Sequence, residues 1–155
     1  MVSKKDNYSA SIEVTASTEA CFNAIAREMD KWWTETTAGQ LNKIGDTIKA
    51  VFPPDYGHWT FEATRLNPDK MIEMVCINAH HQVDGQPKEI DQEWMNTRIV
   101  WEFIPEGDKT RVTMTHVGLT PKLKCWDICF DGWNYFFKES LRAYLNGEAP
   151  SPHKA

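Results

Sequence analysis

The chain has 155 residues, a formal net charge of −5 and seven tryptophans. Its apolar and charged fractions, 41% and 25%, are those of an ordinary globular protein, and its length fits one domain. An acidic chain with no basic run beyond Lys4-Lys5 is not expected to bind nucleic acid. No apolar stretch approaches the ~20 residues of a membrane span, and no signal peptide is expected.

The first third of the chain predicts one strand and two short helices. Tyr8–Val14 alternates between apolar and polar side chains, which is typical of a half-buried strand. Ser17 is a good helix N-cap, and Glu19 follows in the first turn of the helix. A second short helix is predicted at Met29–Trp33. The polar, glycine-containing segment Thr34–Asp46 is predicted to be a loop.

The middle of the chain alternates with a period of two, which predicts antiparallel strands joined by turns. The predicted strands are Thr47–Phe52, Gly57–Leu66, Met71–Ile77, Thr97–Ile104 and Arg111–Val117. The long polar segment Asn78–Asn96 is predicted to leave the sheet. Glu106–Lys109 is predicted to form a tight hairpin turn.

The last predicted element is a helix from Leu123 to Asn146, with Gly147 as its C-terminal stop. At ~1.5 Å per residue, such a helix extends roughly 36 Å, enough to cross a whole sheet. One face is predicted to be apolar, and it carries Trp126, Phe130, Trp133, Phe137 and Leu141. The opposite face is predicted to meet solvent, and it carries Asp127, Asp131, Asn134 and Lys138.

A glycine, Gly132, interrupts this helix, where it costs about 1 kcal/mol relative to alanine. We expect a compensating close approach of the sheet, of Trp33 or of a bound molecule.

The order of elements predicts an α+β fold, in which a curved antiparallel sheet wraps around the long C-terminal helix. Residues 7–147 are predicted to form a single domain. The segments 1–6 and 148–155 are predicted to be flexible termini.

Five stretches of the chain carry the motifs of a known family: Ser17-Thr18-Glu19, Trp32-Trp33, Glu93–Phe103, Thr113–Leu119 and Cys125–Leu145. Together they resemble the START-related (SRPBCC, helix-grip) superfamily, and within it the branch of the C-terminal domain of heat-shock chaperone ATPase activators. The resemblance implies a deep, mostly apolar cavity between sheet and helix, where relatives bind lipids, sterols, polyketides or plant hormones. Some relatives catalyse cyclisation or dehydration, whereas the activator branch stimulates an ATPase.

Aromatic side chains combine large apolar area with defined geometry, which suits the wall of a ligand cavity. The residues expected to bind a ligand are Trp33, Trp59, Phe61, Trp101, Met114, His116, Trp126, Phe130, Trp133 and Phe137. The same residues would also fill an ordinary core. The sequence therefore leaves open whether the cavity is empty or filled by side chains.

His116 is the polar residue of most interest, because it is in phase with Val112 and Met114 on the predicted concave face. A neutral imidazole there could orient a ligand carbonyl or act as an acid or base. The alternative is a buried histidine whose hydrogen bonds anchor the loop between the last strand and the helix.

Cys125 and Cys129 stand four residues apart on the helix, a spacing too wide for a disulfide. We interpret them as small buried side chains, with zinc binding together with His116, or redox sensing, as the alternatives. His80 and His81 should face opposite sides of a strand, so they are not expected to share a metal. No metal or cofactor is predicted, and the cysteines favour a reducing cytoplasm.

These observations favour a protein that binds a small hydrophobic molecule, which could be a lipid, a polyketide or an aromatic compound. The alternative is a co-chaperone or stress-related interaction module whose partner is a chaperone. A third hypothesis is a cyclase or dehydratase, for which His116 is the only catalytic candidate, and we expect no enzymatic activity. Either a monomer or a homodimer is compatible with the sequence.

Overall fold

The computed structural model describes residues 6–155, so the predicted flexible segment 1–6 lies outside the described residues except for Asp6. The described part of the chain forms seven strands. They are β1 (Tyr8–Val14), β2 (Thr36–Ala38), β3 (Thr47–Phe52), β4 (Gly57–Asn67), β5 (Met71–His81), β6 (Arg98–Glu106) and β7 (Lys109–Val117).

Two short helices follow β1, and a long one follows β7. They are α1 (Thr18–Ala26), α2 (Met29–Trp32) and the C-terminal helix, which consists of α3 (Trp126–Tyr135), a π-helical stretch (Phe136–Leu141) and α4 (Arg142–Leu145). A 3-10 helix, Lys88–Gln92, lies between β5 and β6. The predicted N-cap is confirmed, because the Ser17 hydroxyl accepts a hydrogen bond from the Ala20 N–H at 3.1 Å.

The seven strands form one sheet in the order β1-β7-β6-β5-β4-β3-β2, and neighbouring strands are antiparallel. The sheet curls around the C-terminal helix, and the apolar core lies between them. Two irregularities interrupt the β4–β5 register, at Thr60/Phe61 and Ala63/Arg65, and such bulges increase the local twist of a strand. The α+β architecture predicted from the sequence is confirmed.

Two parts of the sheet differ most from the prediction. A short strand, β2, lies inside the predicted loop Thr34–Asp46, where it pairs with β3 at the edge of the sheet. β5 continues to His81 instead of ending at Ile77, because its polar end pairs with the start of β4. Cross-strand pairing can hold polar residues in a strand, and the hydropathy pattern alone does not show this.

The C-terminal helix begins at Trp126, three residues later than predicted, and it is anchored from outside. The two carboxylate oxygens of Glu93 accept hydrogen bonds from the backbone N–H groups of Lys124 and Cys125, both at 2.9 Å. A carboxylate at a helix N-terminus satisfies unpaired N–H groups and complements the helix dipole. The segment before β6 therefore fixes the start of the helix.

The buried face of the C-terminal helix is also different from the prediction. Buried side chains recur every four residues: Cys125, Cys129, Trp133, Phe137, Leu141 and Leu145. Trp126 is only half-buried and Phe130 is 39% exposed, so neither belongs to this face. Steps of four residues drift by about 40° each around a regular α-helix. The π-helical stretch has more residues per turn, which offsets the drift and keeps Leu141 and Leu145 against the core.

Residues 148–155, predicted to be a flexible terminus, dock against the domain. The His153 N–H donates to the Trp33 carbonyl at 2.8 Å, and the His153 carbonyl accepts from the Glu35 N–H at 2.9 Å. The His153 ring also contacts the ring of Phe52, with centroids 5.2 Å apart. This C-terminal tail therefore closes one end of the space between sheet and helix.

Candidate ligand-binding cavity

An apolar cavity of about 310 Å³ opens between the C-terminal helix and the end of the sheet formed by β3, β4 and β5. The sheet side and its turn contribute Phe52, Tyr56, Trp59 and His81. The helix contributes Ile128, Cys129, Gly132, Trp133 and Phe136. The connecting segments and the tail contribute Trp33, Val83, Trp94 and His153. The volume is at the lower end of the ~300–1,000 Å³ of ligand pockets, which favours a compact occupant.

Gly132 lies at the centre of the helical wall, between Ile128 and Phe136, each four residues away. A Cβ atom added at Gly132 would meet no atom within 4 Å. The close approach of the sheet or of Trp33 that we expected is therefore not what this glycine accommodates. The missing side chain instead leaves open volume in the cavity.

Stacked tryptophans form the inner wall of the cavity. Trp133 stacks on Trp33 with ring centroids 5.1 Å apart and on Trp94 at 6.0 Å. Behind them, Trp101 meets the edge of Trp133 at 6.0 Å. Offset and edge-to-face contacts of this kind each add about 0.5–1.5 kcal/mol to simple burial. The wall is therefore held rigidly from behind.

A buried hydrogen-bond chain fixes the orientation of Trp133. The Trp133 Nε1–H donates to His116 Nδ1 at 3.1 Å. Since Nδ1 accepts, the ring proton of neutral His116 lies on Nε2, which donates to Thr97 Oγ1 at 2.9 Å. The Thr97 hydroxyl in turn donates to the Trp94 carbonyl at 2.6 Å. This series of hydrogen bonds thus connects β7, the C-terminal helix and the segment before β6.

His116 itself does not reach the cavity. It is fully buried, both ring nitrogens are hydrogen-bonded, and burial lowers its pKa from the usual 6.5 to about 3. An imidazole in this state has no free atom with which to hold a ligand or transfer a proton. Its hydrogen bonds go to Thr97 and Trp133, and it supports the cavity wall from behind.

The paired histidines at the end of β5 face opposite sides, as predicted. His80 Nδ1 lies 2.8 Å from the Asp91 carboxylate, and its ring stacks on His58 at 5.2 Å, away from the cavity. His81 faces the cavity, where its ring meets Trp59 at 5.0 Å. Burial lowers the pKa of His81, so this imidazole is neutral at neutral pH.

The four cysteines are free and buried. Cys129 lines the cavity. The pKa of its thiol is raised far above the ordinary value, mainly by a hydrogen bond with Cys125 and further by burial. A protonated thiol is a poor nucleophile and a poor metal ligand. In the part of the chain that the structure describes, no group of three or more His, Cys, Asp or Glu could hold a metal ion. Within residues 6–155, no helix has the length and apolar character needed to cross a membrane.

The structure brings only some of the predicted ligand-binding residues to the cavity. Trp33, Trp59 and Trp133 line it. Five others lie behind its wall in the core: Phe61, Trp101, Met114, His116 and Phe137. Trp126 and Phe130 lie elsewhere on the helix. The ring centroid of Phe130 is 5.3 Å from that of Trp126 and 5.7 Å from that of Tyr8.

Several lining residues were missed by the sequence reasoning. Trp94 and His153 come from segments predicted to be an excursion and a flexible tail. Phe136 was not predicted to line the cavity, because only one face of the C-terminal helix was expected to be apolar. One signal pointed to Trp94, since a tryptophan is unusual in a polar segment.

A second, polar groove of about 780 Å³ adjoins the cavity and shares Tyr56, His81 and Val83 with it. Its other walls come mainly from the segment Gln82–Asp91 after β5 and are largely polar. Apolar walls with a few polar groups are typical of small-molecule sites, so we take the smaller apolar cavity as the candidate site.

The curved sheet, the long helix across it and the cavity between them define a helix-grip domain. The chain belongs to the family described as "Activator of Hsp90 ATPase homolog 1-like protein", whose model matches residues 15–146. The branch that the sequence motifs resemble is thereby confirmed.

Solved structures support the same conclusion. The Aha1 dimer from Colwellia psychrerythraea is 26% identical, with a TM-score of 0.72 over 94% of this chain and 97% of that one. Protein MLL2253 from Mesorhizobium loti is 15% identical, with a TM-score of 0.64 over 84% and 92%. CalU16 from Micromonospora echinospora is 15% identical, with a TM-score of 0.63 over 94% and 76%. The last two show a shared fold only, and among curated proteins none matches this chain.

The substitution Gly132→Ala is expected to raise the free energy of unfolding by up to about 1 kcal/mol, because alanine favours the helix and the new Cβ meets open space. Urea unfolding would measure this. The matched control is Gly118→Ala, which should be destabilising because Gly118 has φ +103° and its added Cβ would lie 2.8 Å from Thr97 Cγ2. Destabilisation by Gly132→Ala would contradict an open cavity at that point.

Acidification is expected to destabilise the wild type more than the variant His116→Asn. The folded pKa of His116, about 3, lies below the unfolded value of about 6.5, so the unfolded state binds more protons between these values. Stability is therefore complete above about pH 6.5 and falls as the pH drops towards 3. Urea unfolding at pH 7.5 and 5 should show about 2 kcal/mol more loss in the wild type. Equal losses would contradict a neutral, buried His116.

Proposed function

We propose that this protein binds a small, largely apolar molecule in the cavity between the sheet and the C-terminal helix. The observation that carries the proposal is the open volume at Gly132, in the middle of a wall otherwise made of aromatic side chains. A helix interior seldom retains glycine without a compensating reason, since alanine there would be more stable. Space for an occupant is such a reason.

Apolar burial in the cavity would contribute to binding, before the cost of association of about 4 kcal/mol or more is subtracted. A ligand that buries about 200 Å² of apolar surface gains roughly 5 kcal/mol at ~25 cal/mol/Å². The rigid wall adds to this, because Trp33, Trp94 and Trp133 are already stacked and need little ordering. Trp33, Trp59 and Trp133 would contact the ligand directly, whereas Phe61, Trp101, Met114, His116 and Phe137 would support them.

The variant Gly132→Leu is expected to weaken ligand binding at least tenfold, because its side chain would occupy the cavity. Titration calorimetry with naphthalene derivatives and medium-chain fatty acids would measure the loss. The matched control is Lys138→Leu, an exposed position on the same helix, which should leave the affinity unchanged. If Gly132→Leu bound as tightly as the wild type, the ligand would lie outside this cavity and the proposal would fail.

A second candidate function is that of a co-chaperone, and the 26% identity to the Colwellia Aha1 protein favours it. The half-exposed pair Trp126 and Phe130 would offer an apolar contact on the helix surface. An assay of ATPase stimulation with the Hsp90-type chaperone of the same cell would test it. Under this function, stimulation should persist in Gly132→Leu, because filling the cavity leaves the outer surface unchanged. Absence of stimulation at saturating protein would reject it.

The oligomeric state and location belong to the same proposal. The Colwellia relative is described as a dimer, which supports a homodimer for this chain, and sedimentation would decide between monomer and dimer. Four free, buried cysteines support a reducing cytoplasm.

A further inference from the structure

Three buried polar atoms, each on a side chain that lines the cavity, have no hydrogen-bond partner. They are Trp59 Nε1, His81 Nδ1 and Trp94 Nε1, and the three side chains belong to residues only 6%, 6% and 5% exposed. Buried polar groups are nearly always paired, so three such atoms around one cavity require a reason. An occupant that completes their hydrogen bonds would supply it.

The chemistry of two of these groups is unambiguous. An indole N–H can only donate, so Trp59 and Trp94 both require an acceptor. Their rings are adjacent, with centroids 5.1 Å apart. The Trp94 indole also interacts with the Cys129 thiol, but sulfur is a weak acceptor. An oxygen with two lone pairs, such as a carbonyl, matches a pair of neighbouring N–H donors.

The third unpaired atom, His81 Nδ1, can pair with either a donor or an acceptor. Neutral His81 can donate or accept at Nδ1 according to its tautomer. Its ring lies 5.0 Å from that of Trp59, and both residues line the cavity. A hydroxyl or carbonyl oxygen of the ligand could pair with it.

The remaining walls indicate the shape and charge of the occupant. The nearly parallel rings of Trp33 and Trp133, together with Phe52 and Phe136, give the cavity an aromatic lining that favours a flat, apolar body. Among the described residues the lining contains no Lys or Arg, and the groups that act electrostatically on His81 are the carboxylates of Glu93 and Asp91 and the imidazole of His80. An anion would lose its hydration there without a counter-charge. A cation would leave both indole donors unpaired.

We propose that the cavity takes a compact, neutral aromatic compound that carries a carbonyl or phenol oxygen, held by Trp59, His81 and Trp94. This inference rests on the proposed ligand-binding function and specifies the chemical class of the ligand.

Three probes of one shape test the inference: 2-acetylnaphthalene, the hydrocarbon 2-isopropylnaphthalene and the anion 2-naphthoate. Calorimetry should show that Trp59→Phe and Trp94→Phe each weaken binding of the ketone about five- to tenfold, because each removes one N–H donor and keeps an aromatic ring. Binding of the hydrocarbon should change less than about twofold. The matched control is Trp126→Phe, since Trp126 lies elsewhere on the helix and outside the cavity lining, and it should leave both affinities unchanged.

The outcomes separate this inference from the function on which it rests. If none of the probes binds the wild type, the proposed function itself is rejected for ligands of this size. If Trp59→Phe and Trp94→Phe affect ketone and hydrocarbon equally, the polar site is rejected while the cavity stands. If 2-naphthoate binds most tightly, the ligand is not neutral. If circular dichroism shows that a variant does not fold, the wild type alone still tests the inference. Tenfold tighter binding of the hydrocarbon than of the ketone by the wild type would overturn it.

Discussion

The hydrogen bond between Trp133 and His116 is the contact on which the geometry of the cavity depends. It joins the C-terminal helix to β7 inside the core, where no water can replace it. An unpaired indole N–H at this depth would cost about 1–3 kcal/mol, so rotation of the helix away from His116 is strongly opposed. The rotation that satisfies this bond also turns Gly132 and Phe136 towards the open space. One buried polar contact thereby selects which face of the helix the ligand would meet.

The sequence predicted the sheet better than the helix. Strands such as β1 and β3 were found at their observed boundaries because alternation with a period of two reports which side of a strand is buried. The far end of β5 was not predicted, because its polar residues are held in the strand by pairing with β4. The helix face was predicted in part: Trp133, Phe137 and Leu141 are buried, whereas Phe130 is exposed. A regular 3.6-residue period cannot describe a helix whose middle widens into π-helical turns.

The cavity was predictable in kind but not in detail. Trp59 and Trp133 lie in periodic elements and Trp33 directly follows α2, and all three are among the residues predicted from the sequence. Trp94, which completes the stack, and His153, which closes the end, come from segments without periodicity. Their positions are set by contacts with residues distant in the chain, such as the bond from Thr97 to the Trp94 carbonyl. The role of His116 could not be chosen from sequence, since a ligand contact and a buried structural bond require the same placement on β7.

The docked tail has a consequence for how a molecule would enter and leave. His153 forms one wall of the cavity, and its segment is fixed to the domain by a few bonds, including Ser151 N–H to Ser140 Oγ at 2.9 Å. Detaching this short segment breaks far fewer contacts than separating the sheet from the helix. A ligand that entered past the tail would exchange at the rate at which the tail opens, and a group attached to Ala155 would change its residence time. An affinity tag is therefore better placed at the other end of the chain.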